Sequence, residues 1–290
     1  MNAESDQRQP DMGADDTALV LGGGGVLGAA EVGMLRAIVE RGICPDVVIG
    51  SSVGALNGAL FAADPTPAGV QRIEDAWTSK RAQTVFGGTF GSRVSTLVRH
   101  GTYLHSNTAL RALIDEALPD ACIEDLPVRF ECVAASIERA GAHWFDRGPV
   151  ADAVLASCAV PGLLPAVEVD GEHFLDGGLV HSVPVGRAMA RQARRVFVLQ
   201  VGRLEQPLSP PRKPWEVGLV AFEIVRRHRF SEDLATVSPG VKVHVLPSGG
   251  EVPFLNLRYR RSTETRTRID AAYEASRRYL DGLEGLGSKA

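Results

Sequence analysis

Ser52 stands in the middle of Gly50-Ser51-Ser52-Val53-Gly54, and a second glycine-rich turn, Gly22-Gly23-Gly24-Gly25-Val26-Leu27-Gly28, precedes it in the same β-α-β stretch. Each turn follows an apolar strand-like run and opens a helix-like one. The later turn fits G-x-S-x-G, in which a sharp strand-to-helix bend holds the serine in a strained conformation. The residues two before and two after that serine must then lack side chains, and Gly50 and Gly54 do. The earlier turn presents backbone N–H groups at a helix N-terminus, where partial positive charge favours an anion such as the oxygen of a tetrahedral intermediate. Together the turns predict a serine nucleophile facing an oxyanion hole.

Such a serine needs a base. Phe174-Leu175 leads into Asp176-Gly177-Gly178, a carboxylate at a strand end followed by two permissive residues. Two assignments compete: a histidine from a Ser-His-Asp arrangement, or Asp176 acting alone on Ser52. The histidines are His100, His105, His143, His173, His181, His228 and His244. None carries a triad signature, though His181 lies close enough to Asp176 in sequence to need testing. An exposed aspartate, with a pKa near 3.9 and about six or more units below a serine hydroxyl, is a weak base unless proton transfer is coupled to charge build-up elsewhere. An oxyanion hole answers that weakness, since losing one donor typically costs roughly 2.7 to 4 kcal/mol of transition-state stabilisation.

The elements that must hold these groups alternate. Ala18 to Leu21 reads as a buried strand, Val32 to Ile38 as a helix stopping at Arg41-Gly42, Val47 to Ile49 as a second strand, and Val53 to Ala62 as a buried helix. Parallel strands joined by helices predict an α/β sheet. Helices are predicted at 67–80 and 106–118, with a glycine-rich irregular stretch at 86–102 that could form a cap. Phe130 to Ala135 and Ala142 to Phe145 read as paired strands, Val150 to Ala156 as a small-residue helix, and Val167 to Leu175 as a strand pair around Asp170-Gly171. A helix from about Pro184 leads to a buried strand at Arg195 to Val201, and Pro207 to Pro214 is a proline-rich loop.

The glycine loop, Gly50-Ser51-Ser52-Val53-Gly54, Ala156-Ser157-Cys158-Ala159-Val160-Pro161-Gly162, and Asp176-Gly177-Gly178 leading to Val183-Pro184-Val185 resemble, in the same order, the patatin-like phospholipases. The resemblance covers about residues 17 to 202. It implies a three-layer α/β sandwich with a mainly parallel central sheet, and a Ser-Asp dyad that hydrolyses acyl esters of lipids through an acyl-enzyme. Ser52 would be the nucleophile and Asp176 the base, with the amides of Gly23, Gly24 and Gly25, and that of Val53 as a further donor, around the oxyanion. No cofactor and no metal are implied. The chain departs from the family at Leu27, where an arginine or lysine is usual, and at Glu31, where a histidine is common. A cation that would fix the loop or attract a phosphate is therefore missing from it, which makes acyl esters a firmer expectation than phosphate-headed ones.

Blander readings compete. Gly23 to Gly28 also satisfies G-x-G-x-x-G, the dinucleotide fingerprint, but the second strand ends in Gly50-Ser51 and the nearby carboxylate, Asp46, precedes it, so a dehydrogenase is disfavoured. An inactive, lipid-binding descendant is the main alternative, with intact Ser52 and Asp176 against it. A net charge of -4 and a pI near 6.0 exclude a global basic field, hence nucleic acid as a partner. Cys44, Cys122, Cys132 and Cys158 lack C-x-x-C spacing and read as buried free thiols rather than zinc ligands or disulfides.

Met1 to Asp16 is polar and acidic, which predicts a disordered tail at 1–16, a catalytic core at 17–202 and further elements packed on it at 203–290. With no apolar leader the chain reads as cytoplasmic. Arg226-Arg227-His228-Arg229 and the arginines of 258–278 form a basic C-terminal region, read first as a solvated face and otherwise as a peripheral membrane contact. Ile269, Ala272, Tyr273, Leu280 and Leu283 recur at helical spacing, so the last segment reads as an amphipathic helix on the core. Trp215, Val217, Leu219, Val220, Phe222 and Val225 read as core, with an acyl-chain rim as the alternative.

Overall fold

Ala18 to Leu21 can be apolar at every position because its strand, β1 (Thr17–Leu21), lies in the middle of a sheet and is covered on both faces. In the computed structural model, residues 17–79, 105–201, 207–212, 214–235, 237, 240–250 and 262–287 are described. The acidic start at 1–16 and the irregular stretch at 86–102 fall outside them. Leu19 and Leu21 point into one core layer, and Ala18 and Val20 into the other, as the two-residue period of a strand requires.

The strands β2 (Val47–Ser51), β3 (Arg129–Ser136), β4 (Gly141–Phe145), β5 (Val167–Val169), β6 (Glu172–Asp176), β7 (Arg195–Leu199) and β8 (Lys242–Leu246) complete the sheet. Its order is β5-β6-β3-β2-β1-β7-β8, with β4 also paired to β3. The run β3-β2-β1-β7-β8 is parallel, while β6 and β4 lie antiparallel to β3, and β5 antiparallel to β6. Mostly parallel strands with helices on both faces give the expected three-layer α/β fold.

One layer holds α1 (Ala29–Glu40), α2 (Val53–Ala63), α3 (Pro67–Thr78), α4 (Thr108–Ala117), α5 (Val150–Ser157) and the last helix. The other holds α6 (Val185–Ala190) and the Phe230 part of α7 (Pro214–Ala235). The last helix, α8 (Ser262–Gly287), buries Ile269, Ala272 and Leu280 and lies so close to α1 that a side chain at Gly33 would meet the Ile269 carbonyl at 2.1 Å. Among the described residues no helix is long and apolar enough to cross a membrane.

α7 corrects the sequence reading. Val217 and Val225, expected in the core, are 54% and 43% exposed, and Ile224 is 54% exposed; the side chains of Trp215 and Leu219 lie outside the described residues. The buried face carries Glu223, Arg226, Phe230 and Asp233. The reason lies in what the helix covers. Its middle packs on loops whose backbone carbonyls need donors rather than on an apolar sheet face, so polar side chains turn inward and aliphatic ones outward. A second correction concerns the thiols: Cys132 and Cys158 are buried, but Cys44 is exposed and Cys122 half-buried, because they lie on loops at the edge of the core.

Candidate active site

Strand register brings the two key residues together. Ser51, the last residue of β2, pairs with Val133, and the next residue of β3, Ala134, pairs with Asp176 at the end of β6. Ser52 follows at φ 55 and ψ -127, a conformation costing of order 1 to 3 kcal/mol for a residue with a side chain. Its Oγ donates to Asp176 Oδ2 at 2.6 Å. The turn closes only because its flanks are bare: a Cβ on Gly50 would meet the Gly54 carbonyl oxygen at 2.5 Å, and one on Gly54 the Leu21 carbonyl oxygen at 2.4 Å. Gly54→Ala is therefore expected to cost about 2 to 3 kcal/mol and several degrees of melting temperature, as measured by thermal unfolding of the purified variant.

The elbow is pinned by the end of α5. The Ser52 N–H donates to Ser157 Oγ at 2.9 Å, Ser157 Oγ donates to the Val133 carbonyl at 2.7 Å, and the Cys158 thiol donates to the Ser52 carbonyl at 3.0 Å. Burial holds that thiol neutral by pushing its pKa well above the ordinary value. Ser157→Ala strands a buried N–H and a buried carbonyl. The expected cost is about 1 to 3 kcal/mol of stability, readable by chemical denaturation, with slower attack by Ser52.

Asp176 is fully buried. Its N–H donates to the Ala159 carbonyl at 2.9 Å, and its Oδ1 accepts the Gly178 N–H at 2.7 Å. Burial pushes its carboxyl up to about 6, against the opposing pull of the Ser52 and Gly178 hydrogen bonds and of the Arg226 charge. A carboxylate raised in this way is a stronger proton acceptor than an exposed aspartate. His181, the other candidate base, faces Asp233 at 3.3 Å and lies beside Trp144, with ring centroids 5.5 Å apart. Ser52 has its hydrogen bond to Asp176 instead.

The glycine loop lies against Ser52: a Cβ on Gly23 would be 3.2 Å from the Ser52 Cβ. Gly23, expected among the oxyanion donors, has its own N–H engaged by the Ser182 carbonyl at 2.8 Å, because the loop that leads from β6 to α6 runs alongside the glycine turn. Gly24, Gly25 and Val53 have no hydrogen-bond acceptor for their N–H groups among the described residues, which leaves them as the candidate donors.

The loop that lacks a cation of its own is held from outside. Arg226 Nη1 donates to the Gly23 carbonyl at 3.0 Å, and Arg268 Nη1 donates to the Val26 carbonyl at 3.0 Å. Arg226 is thus no solvated basic residue. Behind the loop, Asn57 Nδ2 donates to Glu31 Oε2 at 2.7 Å and to the Gly28 carbonyl at 3.0 Å, while Trp77 Nε1 donates to Asn57 Oδ1 at 2.8 Å. Burial pushes the Glu31 carboxyl well above its ordinary range.

The profile of the family described as patatin-like phospholipase matches residues 19–189. This chain belongs to that family. It is 35% identical over 198 residues to patatin-like phospholipase domain-containing protein ZK370.4 of Caenorhabditis elegans, covering 65% of this chain and 14% of that protein. It is 31% identical over 191 residues to lysophospholipase nte1 of Aspergillus terreus, covering 64% of this chain and 12% of that protein. An NTE family protein of Mycobacterium tuberculosis is 33% identical over 223 residues, covering 76% of this chain and 58% of that protein. The match thus spans only 14% and 12% of the length of the first two relatives. VipD from Legionella pneumophila shares the fold, with a TM-score of 0.50 at 16% identity over 92% of this chain and 67% of that one.

Within this patatin-like frame, the motif that runs through Ser157 and Cys158 fixes the backbone of Ser52. Sequence reasoning recognised the motif without that role. It missed Arg226 and Ser182 as parts of the site altogether. No metal-holding cluster of His, Cys, Asp or Glu occurs among the described residues.

Proposed function

We propose that this chain is a serine acyl hydrolase acting on carboxylic ester bonds of lipids through Ser52 and Asp176. The supporting observation is the 2.6 Å hydrogen bond from the strained Ser52 hydroxyl to a fully buried carboxylate. Asp176 accepts the serine proton as Oγ attacks the ester carbonyl, and charge develops on the carbonyl oxygen. The amides of Gly24, Gly25 and Val53 stabilise that oxygen. As the tetrahedral intermediate collapses, the ester C–O bond breaks and Asp176 returns the proton to the departing alcohol. In the second half, Asp176 takes a proton from water as it attacks the acyl-enzyme, then returns that proton to Ser52 Oγ as the acyl C–O bond breaks and the fatty acid leaves.

The family and the lysophospholipase name of one relative make glycerophospholipids and their lyso forms the substrates to try first. Purified protein is incubated with a fluorophosphonate probe, then with short-chain and long-chain p-nitrophenyl esters and with mono- and diacyl phospholipids. Labelling of Ser52 with turnover of a long-chain substrate is the expected result. Lipid binding with neither labelling nor turnover would establish the non-catalytic alternative instead.

A further inference from the structure

Arg226 is 5% exposed and makes four side-chain hydrogen bonds. Its Nε and Nη2 each donate at 2.8 Å to the two carboxylate oxygens of Glu223, which fixes the plane of the guanidinium. Its Nη1 then reaches the Gly23 carbonyl at 3.0 Å and Ser182 Oγ at 3.2 Å. Gly23 is therefore clamped twice, through its N–H by the Ser182 carbonyl and through its carbonyl by Arg226. A peptide unit is planar and trans, so fixing the Gly23 carbonyl also fixes the Gly24 N–H, which points the opposite way. A buried Arg–Glu pair is a poor source of stability, since desolvation offsets its Coulombic gain. Its place against the loop asks for another role.

We propose that Arg226 is a positioning residue of the oxyanion loop, supplied by α7 in place of a cation within the loop, and that it aims the Gly24 N–H at the developing negative charge. The proposal rests on the acyl-hydrolase reading above. Arg268 supports the same loop from α8, so both arginines lie beyond residues 19–189 that match the family profile. The C-terminal helices thus complete a site whose nucleophile and base belong to the matched region.

A second signature separates positioning from mere folding. The charged and titratable groups around Asp176 are Arg226 from α7 and the neutral Cys158 thiol from the end of α5, with Glu223 paired to Arg226. Removing the Arg226 charge should raise the pH at which Asp176 ionises. The acidic limb of the pH–rate profile, expected at about 6, should rise with it.

The experiment measures kcat, KM, the pH profile of kcat/KM and thermal unfolding for wild type, Arg226→Gln, Arg226→Lys and Glu223→Gln on one p-nitrophenyl ester. Arg226→Gln is expected to lower kcat by about 100-fold with KM within about twofold, and to move the acidic limb upward. Arg226→Lys should recover about tenfold of the loss and restore the limb, because the charge returns without the fork. Should Arg226→Gln fail to fold, Glu223→Gln keeps the cation but loosens it, with kcat expected to fall several-fold and the limb not to rise. Wild-type kcat and an unmoved limb in Arg226→Gln would overturn the proposal. So would unchanged kcat in Glu223→Gln, or a loss that tracks melting temperature and is not rescued by lysine. Wild type and Ser52→Ala are assayed first: an inactive wild type, or an active Ser52→Ala, sinks the underlying hydrolase reading rather than this one.

Discussion

Ser52→Ala is expected to lower ester hydrolysis by at least about 10^4-fold and to abolish fluorophosphonate labelling, while leaving the fold intact. The size follows from what is removed. The acyl-enzyme route disappears, and the amides of the glycine loop retain only the modest acceleration that an oxyanion hole gives to direct attack by water. Folding should survive because the hydroxyl's partner, Asp176, keeps the Gly178 N–H, and alanine carries the same Cβ as serine, so the backbone cost at φ 55 is unchanged. Quantitative labelling of wild type and a blank in the variant, read by intact mass, would assign the nucleophile. Labelling that persists in Ser52→Ala would refute it.

Asp176→Asn is expected to be as inactive on a practical scale, falling by about 10^4-fold, and yet more stable than wild type above pH 6. An amide keeps the shape: its oxygen can accept the Gly178 N–H and its NH2 can donate to Ser52 Oγ, so neither hydrogen-bonding group is stranded. It cannot take a proton, however. The stability gain has a definite sign. Burial raises the Asp176 carboxyl to about 6 from an ordinary 3.8. A carboxyl raised on folding favours the folded state most below the unfolded value, and that contribution is lost as pH climbs through about 6. The gap corresponds to roughly 3 kcal/mol at pH 8 that the uncharged amide escapes. Melting curves should therefore nearly coincide at pH 4 and separate at pH 8, with Asp176→Asn the higher. Wild-type activity should fall below pH 6, as the base takes up its proton. Coincident curves at pH 8, or full activity at pH 5, would mean that Asp176 is not the buried carboxylate base.

The paired glycine turns and Asp176-Gly177-Gly178 were legible because their constraints are local. A serine held between residues two before and two after that bear no side chain records a strained turn, whatever surrounds it. The alternation of short apolar runs with helical spacing similarly recorded a mainly parallel α/β sheet. β1 is uniformly apolar because it is covered on both faces, and that rule acts residue by residue. The strand pair around Asp170-Gly171 likewise appears as β5 and β6.

What sequence reading misjudged depended on distant partners. Val217 and Val225 looked like core because apolar residues at helical spacing usually are, but their helix packs its polar face on loops that need donors. Arg226 looked like part of a solvated basic run, and 203 positions separate it from the Gly23 carbonyl it serves. The loop's lack of a cation of its own can be read at Leu27, whereas the arginines of α7 and α8 that bond the loop from outside cannot.

The sequence by itself determined the sharp turn at Ser52, the glycine loop and the α/β alternation, since each follows from steric and periodic rules acting over a few residues. The tertiary structure alone decided that Asp176 is fully buried with its carboxyl raised to about 6, that the Gly23 amide is already engaged, and that Arg226 bonds the loop. Desolvation and long-range hydrogen bonds depend on which surfaces meet, and that is a property of the packed chain rather than of any short stretch of it.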